Sequence, residues 1–209
     1  MSTSTSASTF EVSHESHETQ ESHQSQPVFH NVSAEELQLF SLELAKKVYD
    51  SGFRPTFIIA LWRGGTTTAM AVHEYFKFKD CDSDHIAVRT SSYVGTQQQK
   101  EIRVHGLGYI VEKANATDSV LIVDDIFDTG RSVAKVIEMM RERMRLNTPS
   151  NIRVATVFYK PLRTKVNFKP DYHCVETDDW VVFPHELEGL SKEQILKLKG
   201  ERVYKLLME

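Results

Sequence analysis

The sequence predicts an α/β fold: a doubly wound, mainly parallel sheet flanked by helices, with a small C-terminal hood. Three observations lead there. Strand-like runs recur at 57–61, 85–93, 120–123, 152–159 and 172–175, and the most apolar of them read as strands buried on both faces. Segments of helical spacing lie between several of these runs, and strands alternating with helices build parallel sheets. Two of the runs pass straight into polar turns that contain glycine, as strands do at the ligand-binding edge of an open α/β sheet.

The elements follow in order. Residues 1–30 form a Ser/His/Glu-rich tail in which 1–26 offer only Phe10 and Val12 as substantial apolar surface. Such a segment cannot offset its ordering entropy, so it is expected to be disordered. His14, His17 and His23 lack i, i+4 partners and read as solvated rather than metal-binding. The globular domain is expected over 31–209. Ser33 and Glu36 have the spacing of a capping box, and Leu37, Phe40, Leu44 and Val48 mark one face of the helix that follows. Gly52 and Pro55 end it. The strand 57–61 leads into the turn Trp62, Arg63, Gly64, Gly65 and a helix over 66–76. After the strand 85–93, residues 95–106 read as a polar loop or two antiparallel strands. The strand 120–123 is followed by a helix over 133–146, and Ser191 caps a last helix, 191–198.

The most informative stretch runs from Val120 to Ser132. Four apolar residues meet Asp124 and Asp125; Asp128, Thr129, Gly130, Arg131 and Ser132 follow. Neighbouring residues on a strand point to opposite sides, so the two acids cannot both be core residues. Thr129, Gly130 and Ser132 stand just before a helix, where backbone N–H groups and small hydroxyls make a phosphate site. Gly130 permits close approach or a positive φ. Acids beside a phosphate cradle would repel the anion unless they hold sugar hydroxyls or a divalent cation shared with the phosphates. The stretch therefore points to a ligand with a sugar, a phosphate and magnesium.

That whole pattern of apolar strand, two acids, two spacers and Asp-Thr-Gly-x-Ser resembles the signature of the type I phosphoribosyltransferases. Those enzymes bind 5-phosphoribosyl-1-pyrophosphate (PRPP). The Arg63-Gly64-Gly65 turn resembles the 6-oxopurine branch of that family, xanthine-guanine phosphoribosyltransferase above all, although Trp62 stands where the family more often has a small residue. The resemblance covers roughly 35–187. It implies transfer of a 5-phosphoribosyl group to N9 of a 6-oxopurine, with Mg2+ as cofactor. Asp124 and Asp125 would hold the ribose hydroxyls and the metal. Thr129, Gly130, Arg131 and Ser132 would take the 5′-phosphate. Asp128 would be the acid or base at the purine N7, and Arg63, Gly64 and Gly65 would meet the pyrophosphate. A non-proline cis peptide at Trp62–Arg63 or Arg63–Gly64 is implied too. Ser92 and Tyr93 would stem a lid carrying Lys100 and Arg103, either of which reaches the pyrophosphate. Lys160 would contact O6, Trp180 would stack on the base, and the main chain near Val181 would receive its amino group.

Bulk properties bound the alternatives. The net charge of −4 over 209 residues gives no electrostatic footprint for nucleic acid. No apolar run approaches the ~20 residues that span a membrane, and no apolar leader opens the chain. Cys81 and Cys174 belong to no metal or disulfide pattern, which fits reduced thiols and a cytoplasmic location. The resemblance implies a homodimer or homotetramer. The rival reading is a PRPP-binding regulator of the same fold with weak or no catalysis; the acidic net charge and the presence of Asp128, Lys160 and Trp180 weigh against it.

Overall fold

The computed structural model describes residues 29–94 and 100–209. The tail before Phe29 and the tip of the 95–106 segment (95–99) lie outside the described residues, as do the side chains of Phe29, Ser92, Tyr93, Val94, Lys100 and Glu101. The chain opens with β1 (Phe29–Asn31) and α1 (Ala34–Asp50). Then come β2 (Phe57–Trp62), α2 (Gly65–Phe78), β3 (Asp84–Val94), β4 (Lys100–His105) and α3 (Gly108–Lys113). β5 (Ser119–Phe127), α4 (Arg131–Met144), β6 (Asn151–Tyr159) and β7 (Tyr172–Glu176) complete the central layer. β8 (Trp180–Val182), α5 (Lys192–Lys199) and α6 (Glu201–Met208) form the C-terminal part.

The main sheet has the order β4-β3-β2-β5-β6-β7, and only β4 runs antiparallel. Each face carries its own core. α1 and α2 cover one with Leu44, Val48, Val72 and Phe76 against Ile58, Leu121 and Val123. α3 and α4 cover the other with Ile110, Val136 and Met140 against Ile59, Val120 and Ile122. The alternation of Val120/Ile122 with Leu121/Val123 is the two-residue period of a strand apolar on both faces. β5 thus lies at the centre of the sheet because its side chains satisfy both layers.

Local chemistry sets the helix starts. Ser33 Oγ accepts from the Glu36 N–H at 3.1 Å, and the Glu36 carboxylate accepts from the Ser33 N–H at 2.8 Å. Ser191 and Gln194 repeat the arrangement at α5. Both are capping boxes that satisfy donors a helix leaves open.

The structure departs from the sequence-based expectations in several places and settles one that was left open. β5 continues to Phe127, so Asp124 and Asp125 lie within the strand rather than at its tip. Ile126 and Phe127 keep their ladder positions against Phe158 and Tyr159 of β6, because backbone pairing needs no apolar side chain at the two acidic positions. α4 begins at Arg131 and ends at Met144. Arg145 adopts φ 53°, leaving Leu146 exposed, so the helix expected through 146 stops short. α3 and α6 were not foreseen. Residues 100–105 settle the 95–106 segment as an antiparallel partner of β3.

β1 pairs in parallel with β8, placing Phe29 opposite Trp180 and His30 opposite Val181. This second sheet of two strands supports the hood. Both cysteines are free. Burial pushes the Cys174 thiol up to about 11, the direction expected of an inert structural thiol. Among the described residues no helix is long and apolar enough to cross a membrane.

Candidate active site

The site is assembled where β5 meets the turn after β2. Gly64 and Gly65 are required there by close approach. A Cβ on Gly64 would lie 1.8 Å from Asp125 Oδ2, and one on Gly65 would lie 2.6 Å from the Val123 carbonyl oxygen and 2.8 Å from Asp124 Cα. The turn backbone therefore rests directly on the two acids. The peptide between Trp62 and Arg63 is cis, which resolves the choice the sequence left open. Trp62 itself is half exposed.

Asp125 is buried at 7% exposure, while Asp124 keeps a partly exposed edge. Both carboxylates nevertheless border the same turn, one beside each glycine. Burial, then the adjacent Asp125 charge, pushes Asp124 well above the usual carboxylate range. The N–H groups of Asp125 and Gly65 oppose that shift, and the Asp125 N–H donates to Asp124 Oδ1 at 3.0 Å. Two crowded carboxylates of this kind favour a cation between or beside them.

Beyond the acids the chain turns at Gly130, whose φ is 74°. A side chain there would also meet the Phe127 ring at 2.5 Å and Val166 at 2.6 Å, so the position has no room for one. Thr129 Oγ1 accepts from the Arg131 N–H at 3.5 Å, and Ser132 lies in the first turn of α4. The turn carries small residues, and the first turn of a helix presents backbone N–H groups without intrahelical partners. That is the geometry of an anion cradle.

The base-binding candidates lie beside it. The Lys160 N–H donates to the Phe127 carbonyl at 2.9 Å, fixing it one step from Asp128. The residue is 3% exposed, and its ammonium lies 5.9 Å from the centre of the Trp180 ring. Trp180 is 55% exposed, an unusual fate for tryptophan unless its face serves a ligand. Val181 is buried and held by β1.

Three partners were not anticipated. Arg163 donates from Nε to Asp128 Oδ1 at 2.7 Å. His185 Nε2 lies 3.2 Å from Asp125 Oδ2. Glu188 accepts from Arg63 at 3.0 Å. All three come from the segment after Lys160, and each engages a charged residue singled out from the sequence. Arg63 and Glu188 also line a polar cavity of about 850 Å³ with Trp62, Arg89, Thr90 and Ser91.

The arrangement has counterparts. The phosphoribosyl transferase domain profile matches residues 40–192. The chain belongs to the phosphoribosyl transferase domain family. The hypoxanthine-guanine phosphoribosyltransferase of Lactococcus lactis is 32% identical over 145 residues, 68% of this chain and 72% of that protein. The Canis lupus familiaris protein of the same name is 30% identical over 104 residues, 48% of this chain and 44% of its own length. The chain thus spans less than half of that relative. A purine phosphoribosyltransferase from Pyrococcus horikoshii superposes with TM-score 0.60 at 25% identity, over 78% of this chain and 97% of that one.

The lid candidates sit on the β3–β4 hairpin. Ser92 pairs with Ile102, Tyr93 with Glu101, Lys100 with Val94 and Arg103 with Ser91. The hairpin rises next to the strand that leads into the Arg63 turn, since Trp62 lies opposite Arg89 of β3.

Proposed function

We propose that the protein transfers the 5-phosphoribosyl group of PRPP to N9 of a 6-oxopurine, releasing pyrophosphate. The observation that carries this reading is the pairing of the buried Lys160 ammonium with the half-exposed face of Trp180, one residue past the end of β6 and close to the Asp128 turn. A cation there donates to an exocyclic carbonyl oxygen and would oppose the amino group of adenine. The Trp180 ring supplies the stacking surface, and the Val181 main chain would receive the amino group of guanine.

The remaining residues divide the sugar and its phosphates. The Thr129–Ser132 turn takes the 5′-phosphate on backbone N–H groups and two hydroxyls. Asp124 and Asp125 hold the ribose hydroxyls. Arg63, with the turn backbone of Gly64 and Gly65, takes the pyrophosphate; Lys100 or Arg103 would close over it from the hairpin. Asp128 exchanges a proton with the purine N7. As the bond to pyrophosphate lengthens, the sugar gains cationic character, and closure of the hairpin excludes water from it.

Magnesium fits the residues present. Among the described residues no group of three or more acids, histidines and cysteines is placed to hold a metal. Magnesium, however, is commonly held by only one or two carboxylates plus substrate phosphates and water. Asp124 and Asp125, with the Asp124 charge disfavoured by burial and by its neighbour, are that pair. When bound, the ion would neutralise charge on the departing pyrophosphate. The protein is expected to work in the cytoplasm as a dimer or tetramer.

Steady-state rates with PRPP and xanthine, guanine, hypoxanthine, adenine and uracil test the reading. Nucleotide should form from at least one of the first three and not from the last two. PRPP binding without turnover on any base would overturn it.

The Arg63–Glu188 pair leads to a smaller expectation. Pyrophosphate must displace Glu188 from Arg63, so Glu188→Gln should tighten pyrophosphate binding. Both side chains are largely exposed, and exposed pairs contribute no more than about 1 kcal/mol. The gain should therefore be about two- to fivefold, read by calorimetry at low salt and diminished at high salt.

A further inference from the structure

We propose that His185 is a positioning residue: its imidazole N–H locks the Asp125 carboxylate in the orientation that receives the ribose hydroxyls. The inference rests on the ribose assignment above and extends it to a residue outside the motifs.

Asp125 is the more buried acid of the pair, at 7% exposure. A buried carboxylate needs donors to hold its charge and its rotamer. His185 Nε2 stands 3.2 Å from Oδ2. The same oxygen borders the Gly64 backbone, where a Cβ would lie 1.8 Å away. Oδ2 thus meets both the glycine turn and a ring nitrogen.

The ring that does the holding is itself fixed. It stacks on Phe183 with centroids 5.5 Å apart and planes 11° from parallel. Phe183 is buried at 1% exposure and meets Phe158 edge-on. The turn between them is closed by Glu186, which donates its N–H to the Phe183 carbonyl and accepts the Phe183 N–H on its carboxylate. His185 Nδ1 is buried without a hydrogen-bond partner. A proton there would be a buried donor with no acceptor, so Nε2 is the nitrogen that carries it. The donor is therefore held from a rigid base within 3.2 Å of the Asp125 carboxylate.

The test compares two probes that differ only at the ribose: guanosine 5′-monophosphate and its 2′,3′-dideoxy analogue, titrated calorimetrically without added metal. The wild-type protein should bind the monophosphate more tightly. His185→Phe keeps a ring to stack on Phe183 but loses the N–H. It should weaken the monophosphate about tenfold, the scale of a lost hydrogen bond to a charged group, and leave the dideoxy analogue unchanged. His185→Gln, which places an amide N–H near the Nε2 position, should stay within about threefold of wild type, since it keeps that donor. Should His185→Phe fail to fold, His185→Asn, whose amide stops at the Nδ1 position, makes the same comparison. Equal weakening of both probes, or of neither, overturns the inference and leaves the proposed reaction standing. Equal binding of both probes by the wild type removes Asp125 from the ribose and the inference with it. No binding of either probe by the wild type overturns the reaction as well.

Discussion

Asp128→Asn is expected to lower kcat with the best purine by about 10²–10⁴-fold, the range for removing a general acid or base. Asparagine keeps the shape and one acceptor oxygen for Arg163, so the turn should survive. What it loses is the ability to take a proton. The ion pair it weakens lies at the surface, with side-chain exposures of 36% for Asp128 and 49% for Arg163. Such pairs contribute about 0–1 kcal/mol, and the melting temperature should barely move. Single-turnover rates and a thermal melt on the same sample separate the two effects. Full turnover in the variant would remove Asp128 from the mechanism.

Gly65→Ala should do more damage to the architecture. Its new methyl would meet the carbonyl oxygen of Val123 and Cα of Asp124, both backbone atoms of the central strand. Neither can rotate away, unlike the Asp125 carboxylate that a methyl on Gly64 would strike. The turn must withdraw from β5 instead. Overpacking of this kind costs about 1–3 kcal/mol, which in a chain of this size lowers the melting temperature by roughly 2–10 °C. Because the turn also carries Arg63, misplacement by an ångström should lower kcat/KM for PRPP by about 10²-fold. Wild-type stability and wild-type PRPP kinetics together would show that the acids and the turn are not tied as described.

What was legible in the sequence was local. Val120 to Ser132 announced itself because strand period, acids, glycine and helix start follow one another along a single stretch. Gly130, read as permitting close approach or a positive φ, does both. Lys160 and Trp180 stood out only through the resemblance, as a lysine closing a strand and an aromatic downstream in the order of that family's purine-binding elements; alone, Trp180 reads as a core residue. The apolar run stopped at Val123, yet β5 runs on to Phe127, since the ladder with β6 is a backbone matter. β1 was hidden because three residues show no period. Arg163, His185 and Glu188 were hidden for another reason: each meets a partner far away in sequence. The segment 182–190 has no periodicity to say which way its side chains face, and only the tertiary fold brings it over β5.

The short ribbon joining Phe29–Asn31 to Trp180–Val182 bears on the order in which this protein is made. A ribosome releases the phosphate cradle of β5 and α4, with its sheet neighbours β2 and β6, before Trp180 emerges. The shelf for the base must wait for the late-synthesised strand to find the earliest one, a contact with a high loop-closure cost. Nascent chains paused after β6 would accordingly have a sugar-phosphate half with no floor for the ring.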